Sequence, residues 1–178
     1  LDVILLDDAF QHRKVKAGLN VMLTTYSNLY TRDIVLPTGD LREPRSGAKR
    51  ADVIIVTKCP LDITESEKSK LVIEIKPTSR QTVFFSSIQY DDKVVNEKSS
   101  IKLVNKKSLN FEHFVFKDHY NFTEEDIVTF EKQELLITTE KDFVRLKQYG
   151  SLKDKLYYLP ITVSIDKTDT FNSLIKNF

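Results

Sequence analysis

Cysteine, glycine and long apolar runs are all scarce in this sequence of 178 residues. The single cysteine, Cys59, excludes an internal disulfide framework, and it has no Cys or His partner at the spacing of a zinc site. Four glycines leave little room for a glycine-rich phosphate loop. No stretch approaches the ~18 consecutive apolar residues of a membrane span, and the first residues lack the pattern of a signal peptide. We therefore expect neither a membrane-spanning helix nor a signal peptide.

Neither sign of charge predominates, since Lys and Arg total 27, Asp and Glu total 26, and the net charge is +1. This balance creates no global field for holding a polyanion, and we expect no nucleic-acid partner. The composition is typical of a cytosolic protein. The length allows one large domain or two small ones.

The chain begins at Leu1 rather than Met, and its first six residues form an apolar run, Leu1–Leu6, that predicts a buried parallel strand. Such a strand needs neighbours on both sides, so we expect the sequence to be the middle of a longer protein. Two later junctions also suggest missing residues. Strand-like Ile101–Val104 and Phe114–Phe116 are too close for a parallel crossover, so they pair as a hairpin or residues are absent between them. The helix that begins after Thr123 likewise meets the apolar strand Leu135–Ile137 without a stop signal.

Two further apolar runs, Asn20–Thr24 and Ala51–Thr57, predict strands of a covered parallel sheet. Between them, the segment Leu36–Gly47 combines turn residues with charge, which is typical of a binding loop and also of a solvated surface loop. The fold class predicted here is α/β, with a mostly parallel sheet and flanking helices.

A domain boundary is predicted where the residue pattern changes. Thr64 and Glu67 match a capping box for a helix that runs to about Lys76, and a long strand, Thr82–Tyr90, follows. We therefore assign residues 1–78 to a first domain and residues 79–178 to a β-linker with a smaller α/β domain. In the second part, Tyr157–Val163 predicts a last strand and Asp169 can cap a final helix that returns to the first domain.

The adjacent carboxylates Asp7 and Asp8 follow the first predicted strand, where open α/β sheets bind ligands. Two neighbouring carboxylates repel each other unless a cation shares them, and Mg²⁺ prefers such hard oxygen ligands. Gln11 and His12 would add an amide and an imidazole nearby. The alternative is that Asp8 simply caps a helix.

Asp118 and His119 are the second candidate pair, because they follow the predicted strand Phe114–Phe116. A carboxylate beside an imidazole can orient and charge it, although a surface turn explains the pair equally well. The segment Thr138–Asp142 follows another predicted strand and is explained by a capped helix start.

Five segments in this order resemble the tetraacyldisaccharide 4′-kinase family, the lipid A 4′-kinases of Gram-negative bacteria: Leu5–Arg13, Leu36–Pro44, Ala51–Lys58, Phe116–Phe122 and Thr138–Asp142. The resemblance covers nearly the whole chain. It implies a P-loop kinase that uses ATP and Mg²⁺ to phosphorylate the 4′-hydroxyl of a tetraacylated disaccharide 1-phosphate.

The resemblance also implies residue roles. Asp7 and Asp8 would hold Mg²⁺ and act in catalysis, with Glu43 as a further ligand. Asp118 and His119 would support the catalytic base, and the substrate would be bound by Gln11, His12 and Arg42. Ala9 stands where the family usually has Gly. The family's P-loop and the Asp thought to be the base would lie upstream of Leu1, so we expect this piece alone to be inactive.

The implied partners are a lipid A disaccharide precursor and the cytoplasmic face of the bacterial inner membrane, bound peripherally. Tyr26, Leu29 and Tyr30 either contribute auxiliary membrane contacts or pack beneath the Leu36–Pro44 loop. A metal-dependent phosphohydrolase with a carboxylate and histidine site is the alternative function, and a non-catalytic binding module is a third.

Overall fold

The computed structural model describes residues 3–103, 111–117 and 120–177. These residues form the strands β1 (Val21–Thr25), β2 (Val53–Cys59), β3 (Thr82–Tyr90), β4 (Lys93–Val95), β5 (Ser100–Lys102), β6 (Leu136–Thr138), β7 (Leu156–Tyr158) and β8 (Ile161–Ile165). They also form the α-helices α1 (Glu65–Ile75), α2 (Glu124–Glu131), α3 (Glu140–Leu146) and α4 (Thr168–Lys176). Two short 3₁₀ helices, Arg45–Arg50 and Gly150–Leu152, complete the described elements.

A four-stranded sheet in the order β1-β2-β3-β8 organises the first unit, and β1, β2 and β3 run parallel. Because side chains alternate along a strand, β2 buries residues on both faces of the sheet. On one face Ile54 and Val56 pack with Leu71 and Ile75 of α1. On the other face a second cluster contains Val53, Ile55 and Phe84 of the sheet with Phe171 and Leu174 of α4. The predicted α/β class, with a parallel sheet and flanking helices, is confirmed.

The strand predicted at Leu1–Leu6 is wrong for the residues that the structure describes. Residues 3–6 have no strand geometry, and their apolar side chains are exposed, Leu5 by 91%. An apolar strand is stable only where neighbouring strands pair with it and other elements cover its faces. No strand of the described residues pairs with this segment.

The second unit has its own four-stranded sheet, in the order β5-β4-β7-β6. β6 and β7 are parallel, while β4 pairs antiparallel with both β5 and β7. Its core is formed largely by α2, α3 and β7, through residues such as Phe130, Phe143 and Leu156. The cluster continues into partly buried aromatic rings at Phe114, Phe116 and Phe122.

Three element predictions in the second half require correction. Residues 114–116 form no strand: the ring of Phe114 packs against Phe130, the ring of Phe116 packs against Phe122, and β5 pairs with β4 instead. The strand predicted at Tyr157–Val163 is two strands, β7 and β8, that are separated at Leu159 and Pro160. Proline has no N–H for a ladder hydrogen bond, which explains the break. Helix α4 begins at Thr168 after the N-cap Lys167, so Asp169 lies in its first turn instead of capping it.

The boundary between the units falls after Gln89, later than the predicted position near residue 78. The first unit comprises Leu1–Gln89 with Val163–Phe178, and the second comprises Tyr90–Thr162. The difference arises because β3 pairs with β2 from Val53↔Thr82 onward and is therefore a central strand of the first sheet, not a linker. Helix α4 belongs to the first unit.

Candidate functional site

The segment Asp7–Arg13 forms consecutive turns and no helix, which excludes the alternative that Asp8 is a helix N-cap. The Asp8 amide donates to Oδ1 of Asp7 over 3.0 Å, and Asp8 has a positive φ of 46°. Aspartate tolerates this left-handed conformation better than most side chains because it can hydrogen-bond locally. The His12 amide then closes a turn on the Ala9 carbonyl at 2.9 Å.

The loop Leu36–Gly47 folds back on itself beside this segment. The amide of Leu36 donates to the carbonyl of Leu41 at 3.0 Å, and the amide of Leu41 donates to the carbonyl of Ile34 at 3.1 Å. The same loop contains a cis peptide bond at Leu36–Pro37. Its closed shape presents Arg42, whose Nη1 donates to Oδ2 of Asp8 over 2.9 Å. Two motifs that are distant in the sequence thus meet through an ion pair.

Glu43 is the most enclosed acidic group at this site, with its side chain only 14% exposed. Arg50 donates two hydrogen bonds to it, from Nη1 to Oε2 at 2.9 Å and from Nη2 to Oε1 at 2.7 Å. Arg13 adds a third bond to Oε2 at 3.0 Å. The hydrogen bonds from Arg50, and to a smaller extent the one from Arg13, hold the pKa of Glu43 below its usual value. The hydrogen bonds to Glu43 in turn raise the pKa of Arg50.

A cavity of about 470 Å³ lies between these two segments and β1. Its lining includes the predicted residues Asp7, Asp8, Gln11, Arg42 and Glu43, with Val21, Met22 and Leu23 of β1 as an apolar wall. The volume is within the usual range for a small-molecule site. Carboxylates and guanidinium groups on one side and apolar side chains on the other suit a ligand that has both phosphate and apolar parts.

Of the predicted site residues that the structure describes, His12 is not part of this lining. His12 is exposed on the neighbouring turn. Asp118 and His119 lie outside the residues that the structure describes, and their roles stay predictions.

The carboxylates at the cavity supply some of the oxygen ligands that Mg²⁺ requires. Protein sites for this ion usually contribute one or two carboxylates and leave the other positions to water and phosphate oxygens, and Asp7 and Asp8 can supply such oxygens. Within the described ranges no group of three or more His, Cys, Asp or Glu side chains is placed to hold a metal ion. Glu43 instead accepts hydrogen bonds from the guanidinium groups of Arg13 and Arg50, so its carboxylate orients these two arginines.

Sequence reasoning missed Arg13, Arg50 and Phe10. Arg50 also donates from Nη2 to the carbonyl oxygen of Phe10 at 3.0 Å, and its guanidinium carbon lies 4.8 Å from the centre of the Phe10 ring. Nothing in the local pattern distinguishes Arg50 from the basic residues around it. The membrane role considered for Tyr26, Leu29 and Tyr30 is not supported, because Leu29 is fully buried and both tyrosines pack against the same core.

A parallel α/β sheet whose loops enclose a charged cavity is typical of ligand-binding α/β proteins, and the guanidinium groups suit an anionic ligand. The family model for tetraacyldisaccharide-1-P 4'-kinase, LpxK, matches residues 1–178. A tetraacyldisaccharide 4'-kinase of Flavobacterium psychrophilum is 43% identical over 204 residues, covering 99% of this chain and 59% of the relative. A Bacteroides fragilis relative of the same name is 35% identical, covering 98% and 58%. The chain therefore belongs to the tetraacyldisaccharide 4'-kinase family, as the sequence motifs predicted.

A solved structure supports the fold. LpxK from Aquifex aeolicus, in complex with ATP, matches with a TM-score of 0.62 and 22% identity, over 96% of this chain and 55% of that chain. This chain spans somewhat more than half the length of the relatives it matches. The Flavobacterium psychrophilum alignment contains more positions than this chain has residues, so the relative carries residues without a counterpart here.

Proposed function

We propose that the intact protein transfers the γ-phosphoryl group of ATP to the 4′-hydroxyl of a tetraacyldisaccharide 1-phosphate, a step of lipid A biosynthesis. Membership of the kinase family supports the activity, and the ATP in the related crystal structure supports the donor. The single observation that carries the proposal is the meeting of Asp7–Asp8 with Arg42–Glu43 in one cavity.

In this reaction the oxygen of the 4′-hydroxyl bonds to the γ-phosphorus while the bond from that phosphorus to the β,γ-bridging oxygen breaks. ADP leaves with the electron pair of the broken bond, and a base accepts the hydroxyl proton. Little covalent chemistry falls to the protein, so catalysis rests on positioning and on neutralising charge. Asp118 and His119 are proposed to support the base.

Within the cavity, Asp7 and Asp8 are proposed to hold Mg²⁺, which when bound neutralises charge on the transferring phosphoryl group. Arg42 is proposed to bind a phosphate of the donor or acceptor. It is already directed at Asp8, so a ligand phosphate would compete with that carboxylate for the guanidinium group. Gln11 lines the cavity and, with His12 on the adjacent turn, is proposed to contact the disaccharide. The metal role predicted for Glu43 stays a prediction, and we favour a role in orienting Arg13 and Arg50.

The proposed location is the cytoplasmic face of the bacterial inner membrane, where the acyl chains of the acceptor would be bound from the bilayer. The protein would attach peripherally. In the part of the chain that the structure describes, no helix has the length and apolar character to cross a bilayer.

The direct test incubates the intact protein with radiolabelled ATP, Mg²⁺ and the tetraacyldisaccharide 1-phosphate. We expect label in the lipid product, phosphorylated at the 4′ position. Release of inorganic phosphate from a phosphorylated lipid in the absence of nucleotide would instead indicate the phosphohydrolase alternative. The absence of turnover with either substrate would contradict both enzymatic functions.

A further inference from the structure

Arg50 connects both halves of the cavity although its own side chain is not part of the lining. It is the last residue of the 3₁₀ helix Arg45–Arg50 and stands just before β2. One guanidinium group therefore contacts the Glu43 carboxylate, the Phe10 carbonyl oxygen and the face of the Phe10 ring.

We propose that Arg50 is a positioning residue of the active site, which fixes the Asp7–Asp8 segment against the Arg42–Glu43 loop. Phe10 lies two residues after Asp8, so an anchor on its backbone limits where the carboxylates can move. Glu43 is adjacent to Arg42, so the paired hydrogen bonds on Glu43 limit the other side of the cavity in the same way. The planar guanidinium makes these contacts simultaneously, which the single ammonium group of lysine cannot do.

Gly47 belongs to the same arrangement. A Cβ atom at this position would lie 2.5 Å from the carboxyl carbon of Glu43, so the absent side chain creates the space in which Glu43 meets Arg50. Gly47 has no positive φ, and its requirement is therefore one of space rather than of backbone conformation. Because the blocked atoms are the end of a flexible side chain, Gly47→Ala should move the Glu43 carboxylate without unfolding the unit.

The decisive variant is Arg50→Lys in the intact protein, and Arg32→Lys is its matched control. Arg32 makes the same kind of paired contact, from Nε and Nη2 to Glu74, each at 2.7 Å, and it does not line the cavity. Both substitutions keep the charge and remove a guanidinium fork from the first unit. Arg32→Lys therefore measures the structural cost of losing one fork, and a larger fall in the Arg50→Lys unfolding midpoint reports the further contacts of Arg50 with Phe10.

Two measurements separate positioning from structure. For Arg50→Lys we expect kcat to fall about 10–100-fold, the usual range for a residue that orients site ligands, with the KM for ATP nearly unchanged. We also expect faster hydrogen exchange confined to residues 7–15, where the His12 amide is bonded to Ala9 and the Val15 amide to His12. Gly47→Ala should produce smaller changes in kcat and in hydrogen exchange. This variant replaces Arg50→Lys in the test if Arg50→Lys does not fold.

The kinetic measurement rests on the proposed function, whereas the exchange measurement does not. A wild-type protein without kinase activity would contradict the proposed function, and the exchange data would still decide whether Arg50 holds the segment. If Arg50→Lys matches Arg32→Lys in kcat, or if exchange of residues 7–15 is unchanged, the positioning role of Arg50 is wrong.

Discussion

At the scale of single residues, the site depends on how its charges are paired. Asp8 and Arg42 form an ion pair in which both side chains are mostly exposed, so the pair contributes little to stability. Glu43 is much less exposed and meets two arginines. We infer that Asp8 and Arg42 can exchange partners when a ligand arrives, whereas Glu43 and Arg50 stay together as the fixed part of the site.

Replacing either carboxylate that is proposed to hold the metal should impair catalysis more than folding. In the intact protein, Asp7→Asn or Asp8→Asn should lower kcat by ~10²-fold or more, the loss typical of one preorganised electrostatic contact. Thermal unfolding should change little. Asp62→Asn, at an exposed carboxylate outside the cavity, is the control and should leave kcat near that of the wild type. Normal kcat in both cavity variants would remove Asp7 and Asp8 from the mechanism.

The lowered pKa of Glu43 makes its stabilising effect depend on pH. Because the folded state binds the proton less tightly than the unfolded state, the contribution is complete above the ordinary Glu pKa of about 4.3. The stabilising contribution of Glu43 is lost as the pH falls through its lower pKa in the folded state. The unfolding midpoints of wild type and Glu43→Gln should therefore differ most at pH 5–7 and converge as the pH falls through the lowered pKa of Glu43 in the folded state. Arg50→Gln should weaken this pH dependence, and a constant difference across the range would contradict the linkage.

At the scale of elements, the sequence predicted best where the determinants are local. Helix α1 follows its capping box, with Thr64 accepting from the Glu67 amide and Glu67 accepting from the Thr64 amide. Strands β2 and β3 follow from their apolar, β-branched and aromatic residues. The prediction failed at residues 3–6 and 114–116, where the same apolar pattern gives a strand only if a partner strand is present.

The candidate site was predictable in its parts but not in its connections. Asp7, Asp8, Arg42 and Glu43 were found because each belongs to a recognisable motif. Their pairing depends on how two loops meet in space, and a sequence pattern does not encode that distance. Arg50 could not be found for the same reason, since its partners Glu43 and Phe10 are brought to it by the fold.

The capping box of α1 gives an element-scale prediction. Thr64→Ala removes the oxygen that accepts from the Glu67 amide, and it should lower the free energy of unfolding of the first unit by about 1 kcal/mol. Thr64→Ser keeps that oxygen and should recover most of the loss. Urea denaturation of the three proteins measures the difference. Equal losses for alanine and serine would show that the methyl group of Thr64, rather than its cap, is the stabilising feature.

At the scale of the whole molecule, the acceptor proposed for this enzyme has two incompatible parts. Its phosphate and sugar suit the charged lining of the cavity, whereas its acyl chains require an apolar surface or the bilayer itself. The apolar wall of the cavity is formed by Val21, Met22 and Leu23 of β1, and Leu6 also lines the cavity; the side chains of Leu6 and Leu23 are largely exposed. The charged lining of the cavity therefore lies close to exposed apolar side chains.

Membrane attachment can be tested by flotation with anionic liposomes. We expect the intact protein to float and the 178-residue chain to float less. In this chain Leu29 is buried in the core and Tyr26 and Tyr30 pack against it, so none of the three is placed to enter a bilayer. If the 178-residue chain floats as well as the intact protein, its own surface is sufficient for attachment. If neither protein floats, the enzyme extracts its acceptor without stable binding to the membrane, and the proposed peripheral location is wrong.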